Sequence, residues 1–413
     1  SLGEIAHDIL WQFSVDETGD KEHTFDGDYV LYIHDESLNV TYLSTAAKEA
    51  PSIENGKLPS MLTVTFGEEP TTQKNFVWFT DRRVEDTVIQ YMEGEFIPGQ
   101  AKSVTGTYDM YATTTASIDL GIFCTLMPIE IGRHIVTLRN LEPGTKYSYR
   151  VGSAAHGFWS DVYTFTTAPS ENAPFELLLV TDLQGSSRTT YELAAEVMSK
   201  VETVFGENGY DFVINTGDLV DNSRNLVQWK YFLDIQKDFW RNTTQVVAAG
   251  NHDKYYYEKS EKPVYTLTVP NPVEDEYNYL LLHYNISYPE QNDKSGAYYS
   301  FDYSGVHFTV LNTNDLESNA MSAAQIEWLK ADLEGTDKAH KIVIMHKGLY
   351  STGAHSKDPD VVKMRAQLTP IFADYGVNLV LSGHDHTYSE SYYLDGEGQP
   401  VKNSGASGSK IGK

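Results

Sequence analysis

The hydrophobic pattern changes period near residue 170, and this change limits the possible folds more than any other feature of the chain. Between about Leu62 and Thr167, short runs such as Leu62-Thr63-Val64-Thr65-Phe66, Phe76-Val77-Trp78-Phe79-Thr80 and Lys146-Tyr147-Ser148-Tyr149-Arg150-Val151 are separated by turn residues, with no helical stretch between them. Period-two strands at that spacing predict an all-β sandwich. Ala168-Pro169-Ser170-Glu171-Asn172-Ala173-Pro174 is polar, holds two prolines and reads as a linker. After it, apolar strands at 175–181, 212–216, 245–249, 306–311, 342–345 and 378–381 alternate with amphipathic helices at 191–205, 227–240, 323–333 and 361–373. That alternation predicts an α/β domain with buried strands layered between helices. Ser322-Ala323-Ala324-Gln325 has the spacing of a capping box for the third helix. The expected organisation is multidomain: a β-rich segment over 1–57, a sandwich over 58–168 and the α/β domain over 175–413.

With 413 residues, 40% of them hydrophobic and 22% charged, the chain has a globular composition and room for two or three folding units. Its formal net charge of −27 would repel nucleic acid and anionic membranes, and no Lys/Arg cluster overrides that field. No apolar run reaches the roughly 20 residues of a membrane span. Cys124 is the only cysteine and sits in an apolar stretch, which reads as a buried small side chain rather than a reactive thiol. The first residues carry neither a basic segment nor an apolar one, so any signal peptide has been removed or never existed. An extracellular protein without disulfides points to a secreted or cell-surface bacterial enzyme.

Five short segments each follow an apolar strand: Asp182-Leu183-Gln184-Gly185, Gly217-Asp218-Leu219-Val220-Asp221, Gly250-Asn251-His252-Asp253, His346, and Gly383-His384-Asp385-His386. The carboxyl ends of strands in an open α/β sheet form a binding crevice, so the five can converge. Carboxylate, amide and imidazole donors suit Fe, Zn, Mn and similar ions, and no thiolate is offered.

This ordered set resembles the calcineurin-like metallophosphoesterases. Together with Leu141-Glu142-Pro143-Gly144-Thr145-Lys146-Tyr147, which is similar to a fibronectin type III corner, it resembles the purple acid phosphatases among them. The resemblance implies a four-layer α/β catalytic domain behind a fibronectin-like sandwich, and two metal ions bridged by Asp218. Asp182 and His386 would hold the first metal, and Asn251, His346 and His384 the second. A metal-bound hydroxide would attack phosphorus in line, with His252 as proton donor and Asp253 hydrogen-bonded to its imidazole. In Tyr350-Ser351-Thr352-Gly353-Ala354-His355, the histidine is similar to a substrate-facing one. The implied substrate is a small phosphorylated molecule.

Two positions depart from the pattern. Asp221 stands where purple phosphatases carry a tyrosine ligand, which predicts a colourless protein, and Gln184 stands where many relatives carry a histidine. Asp221 is the preferred further ligand of the first metal, with the Gln184 carbonyl oxygen as the alternative. The leading reading is a phosphomonoesterase. A phosphodiesterase or nucleotide pyrophosphatase shares the same metal centre, and a surface-binding protein with a vestigial site is the reading from another class.

Overall fold

The computed structural model describes residues 32–35, 40–43, 56–119, 124–201, 209–223, 225–253, 278–286 and 298–401; for 32–35, 40–43, 111–119, 124–130 and 278–279 it describes the backbone alone. Tyr255-Tyr256-Tyr257, the Cys124 side chain, most of 1–57 and the Gly/Ser-rich tail lie outside these residues. The chain forms two compact units, Ser1–Leu58 and Pro59–Lys413. In the first, β1 (Tyr32–Asp35) and β2 (Val40–Leu43) pair antiparallel.

The second unit opens with nine strands: β3 (Ser60–Phe66), β4 (Lys74–Asp81), β5 (Val88–Glu93), β6 (Lys102–Thr105), β7 (Thr107–Asp119), β8 (Cys124–Leu138), β9 (Lys146–Ser153), β10 (Phe158–Trp159) and β11 (Tyr163–Thr166). Two sheets face each other, one built on β3-β4-β8-β7 and the other on β10-β9-β5-β6 with β11 beside β9. Their shared core holds Leu62, Val64, Phe76 and Trp78 from one side and Ile89, Tyr149 and Val151 from the other. Met61, Phe66, Val77 and Phe79 of the same two strands are buried too, in a different core. Both faces of this sheet are therefore covered, which explains strands that are buried at almost every position. The Pro143-Gly144 turn places Gly144 at φ 60°, and the Tyr147 hydroxyl accepts a hydrogen bond from the Glu142 amide at 2.8 Å, pinning the corner as expected.

The α/β half follows, with β12 (Leu177–Val180), α1 (Arg188–Met198), β13 (Phe212–Asn215), α2 (Leu226–Ile235), α3 (Lys237–Arg241), β14 (Gln245–Val247) and α4 (Asn278–His283). Then come β15 (Tyr299–Tyr303), β16 (Val306–Val310), the small β17 (Leu316–Glu317) and β18 (Ala320–Met321), α5 (Ala323–Gly335), β19 (His340–Lys347), α6 (Pro359–Asp374) and β20 (Leu379–Gly383). Strands β12, β13 and β14 are parallel. A second sheet runs β15-β16-β19-β20, parallel except for its β15 edge. Phe212, Ile214, Phe301, Phe308, Val310 and Ile344 fill the space between these sheets, with Trp229, Phe232 and Leu233 of α2 in the same core. Leu329, Leu333, Met364 and Leu368 of α5 and α6 cover Val343 and Met345 on the far side of β19. The order helix, sheet, sheet, helix gives the four layers.

The two halves are joined more closely than a linker implies. Gln245 of β14 pairs in parallel with Thr65 of β3, so β12-β13-β14 continues the sandwich sheet. Ala168 is fully buried, with its amide bonded to the Pro70 carbonyl. Arg241, also buried, donates to Asp234 at 2.6 Å and to the Tyr163 hydroxyl at 3.0 Å, and its carbonyl accepts from Tyr149 at 2.6 Å.

Details differ from the expectation at four places. The helix expected over 227–240 breaks at Gln236, whose carbonyl accepts from the Phe239 and Trp240 amides and so starts a new turn. Ser322 caps α5 by accepting from the Gln325 amide at 3.2 Å, but the reciprocal half of the box is not made. The Gln325 side chain is held by the Asn312 main chain and Asp315 instead. The period-two strand β15 (Tyr-Ser-Phe-Asp-Tyr) and the long β7–β8 hairpin were not among the expected elements. No described helix is long and apolar enough to cross a membrane.

Candidate metal centre

Asp182, Asp218, the Asn251–Asp253 loop and the His384–His386 loop follow β12, β13, β14 and β20, and His346 lies near the end of β19, so every element delivers its residues at a strand's carboxyl end. Asp182, Asp218, His384 and His386 all occupy left-handed backbone, with φ of 53°, 55°, 75° and 51°. Non-glycine residues adopt such conformations at a cost, and they concentrate at functional sites. The loops also approach too closely for side chains. A Cβ on Gly250 would collide with the amide and carboxylate of Asp218, and one on Gly217 (φ 112°) would lie 2.7 Å from His346 Nδ1.

Two groups of donors form around Asp218. Asp218, His346 and His384 bring ligand atoms within 4.8 Å of one another, as do Asp182, Asp218 and His386. His346 is fully buried; its Nδ1 faces the Thr216 carbonyl at 2.9 Å. Donation there leaves the Nε2 lone pair directed at Asp218 Oδ2, 3.3 Å away, and beside Asn251 Oδ1 at 3.0 Å. His386 Nε2 stands 3.5 Å from Asp182 Oδ1. Donors sharing one cation at about 2.1 Å stand about 3.0 Å apart in octahedral and about 3.4 Å in tetrahedral geometry. The residues therefore fit a pair of bound cations.

Electrostatics agree with that fit. Burial opposes charge on Asp218, but bonding to His346 outweighs it and holds the carboxyl below its ordinary range. Burial, then the neighbouring His346, His355 and Lys347 charges, lower His384 to about 4, which keeps it neutral. For His346, burial is outweighed by Asp218, which raises it.

Residues 175–388 match the family described as calcineurin-like phosphoesterase. The chain belongs to the calcineurin-like phosphoesterase family. Residues 59–167 match the purple acid phosphatase N-terminal domain. Purple acid phosphatase 21 of Arabidopsis thaliana is 29% identical over 260 residues, covering 62% of this chain and 52% of that protein. Purple acid phosphatase 1 of Ipomoea batatas is 24% identical over 355 residues, covering 81% and 64%. The chain spans about half the length of the first of these curated relatives. The fold is similar to purple acid phosphatase PPD1 from yellow lupin (Lupinus luteus) seeds, with TM-score 0.58 and 16% identity, covering 79% of this chain and 58% of that one. It is also similar to PhoD, with TM-score 0.52 and 14% identity, covering 80% and 72%.

In this calcineurin-like phosphoesterase, Asp253 does not bond the His252 imidazole as the sequence reading expected. Its fully buried carboxylate is taken by main-chain amides: Asp218 at 2.8 Å, Gly250 at 2.9 Å and Leu219 at 3.0 Å. Burial, and next the charge of Asp218, push Asp253 up to about 7. The partner of His252 is Asp221, through its carbonyl oxygen at 2.9 Å from Nδ1 and its carboxylate at 3.5 Å. Asp221 thus faces the histidine and is absent from both ligand groups around Asp218. His355 lies in the 3-10 turn Ala354–Lys357. Its Nδ1 meets Asp358 at 2.8 Å, and its ring centroid is 4.3 Å from that of His384. Arg365 holds the same loop through the Leu349 and Ser356 carbonyls, and Tyr350 bonds Thr369; both are structural here. Sequence reading missed Asn314, buried beneath the centre, whose amide donates to the carbonyls of Ala249 and Gly250 at 3.2 and 3.1 Å. An asparagine just past an apolar strand carries no distinguishing signal of that role.

Proposed function

We propose that this chain is a phosphoesterase acting on phosphate monoesters, with two cations held by Asp182, Asp218, Asn251, His346, His384 and His386. The sharing of Asp218 between two donor groups carries this reading, because a single carboxylate then serves both cations. Bound cations at such a site acidify a water and neutralise charge on the transferring phosphoryl group.

The remaining work falls to the chain's own residues. The His252 amide donates to Asp218 Oδ1 at 2.8 Å, which sets the imidazole beside the bridging carboxylate. With both ring nitrogens carrying hydrogen, Nδ1 donates to the Asp221 carbonyl and Nε2 hands its proton to the departing oxygen. The Asp221 carboxylate lies 3.5 Å from the same Nδ1. His355, oriented by Asp358, is placed to contact the phosphoryl group or the leaving group from the His384 side.

The test combines metal content with hydrolysis of p-nitrophenyl phosphate and of its bis ester, on wild type and Asp218→Asn. About two metals per chain and faster monoester turnover, both lost in Asp218→Asn, are the expected result. Faster diester turnover would move the substrate class to phosphodiesters, and two metals without turnover would remove the activity. His252→Ala should lower kcat by about 10²–10⁴-fold. Asp221→Asn should cause a smaller loss in kcat. An equal loss from Asp253→Asn with metal binding intact would restore Asp253 as the histidine's partner.

A further inference from the structure

The pocket formed by Asp182, Asp218 and His386 has three protein ligands, whereas the one formed by Asn251, Asp218, His346 and His384 has four. The fourth side chain at the first pocket is Gln184. With its amide nitrogen donating to the main-chain carbonyls of Asp182 at 3.0 Å and Asp218 at 3.2 Å, Gln184 presents Oε1 to His386 Nε2 at 3.2 Å. Two neighbouring acceptors fix the amide in that orientation, because the reverse would set oxygen against oxygen. The Oε1–Nε2 separation falls within the spacing expected of two donors on one cation and matches the other donor pairs of the centre.

We propose that the Gln184 carbonyl oxygen is the fourth protein ligand of the first cation, in place of Asp221. This assignment rests on the two-cation reading above. It makes the two pockets chemically unequal. The first offers three oxygens and one imidazole, and His386 is 61% exposed there. The second offers two imidazoles and two oxygens around the buried His346. Harder oxygen donors and solvent access suit an exchangeable Mn²⁺- or Mg²⁺-like ion, while the nitrogen-rich buried pocket suits a tightly held Zn²⁺- or Fe-like ion.

The experiment titrates chelator-stripped protein with Mn²⁺ and follows free Mn²⁺ by electron paramagnetic resonance. Wild type should show two steps of unequal affinity. Gln184→Ala should weaken the looser step at least about tenfold and leave the tighter one alone. Gln184→His should restore the looser step and turn its preference from Mn²⁺ toward Zn²⁺, while Asp221→Asn leaves both steps unchanged. The assignment is overturned if Gln184→Ala leaves both steps intact, or if Asp221→Asn weakens the looser step. It is also overturned if Gln184→Ala abolishes both steps and Gln184→His restores neither, or if wild type takes up no Mn²⁺. Two Mn²⁺ steps with the Gln184 effect, but without hydrolysis of p-nitrophenyl phosphate, would sink the phosphatase reading and leave the ligand standing.

Discussion

His307, in β16, sits between two carboxylates on the second sheet. Nδ1 is 2.7 Å from Asp302, and Nε2 is 3.0 Å from Asp332, which also accepts from Thr309. Burial works against its charge, but the two aspartates outweigh burial and raise it to about 9. Between pH 6.5 and 9 the folded state therefore holds a proton that the unfolded chain releases. Its stabilisation is complete below pH 6.5 and fades as pH rises through 9. Denaturant titrations of wild type and His307→Asn should converge across that window, by about 2 kcal/mol or less after solvent screening. A difference that stays constant with pH would show that the histidine is neutral in the fold. The run Val306-His307-Phe308 gives no sign of that charge, because both partners come from outside it.

At the level of loops and strands, the motifs were legible because each follows an apolar run, and the end of a parallel strand dictates where it points. The pairing of His252 was not. Asp221 and Asp253 are both aspartates beside motif residues, and only the path of the loops decides which reaches the ring. Asp253 is drawn instead to the amides of Asp218, Leu219 and Gly250, where it ties the β13 and β14 loops together. That stitching depends on Gly250, since a methyl group there would occupy the space of the Asp218 carboxylate. Gly250→Ala should lower metal affinity at least about tenfold while circular dichroism at 25 °C stays native. Unchanged affinity would mean that the loop relaxes around the methyl group.

Across the whole molecule, the period change near residue 170 revealed two architectures but not that they share a sheet and a core. Lys74 shows how close the join is. It lies in β4, is fully buried, donates to Thr244 Oγ1 at 2.6 Å and has its nitrogen 4.0 Å from the Phe66 ring centroid. Burial alone holds its amine well below the ordinary lysine range. The unfolded chain binds a proton that the folded one gives up, so wild-type stability rises with pH up to about 10.5. Lys74→Met should stabilise the protein at pH 7 by roughly 1–2 kcal/mol, with the gain shrinking as pH rises toward 10.5. A loss of stability at neutral pH would show that the Thr244 bond outweighs desolvation.

The His384 amide donates to both oxygens of Asp182, a contact spanning 202 residues of sequence. Contacts of such separation form late, after the intervening chain has been ordered. The centre is therefore unfinished until β20 docks. A donor set closed by its last strand makes cation uptake a report on whether the whole chain has reached its final topology.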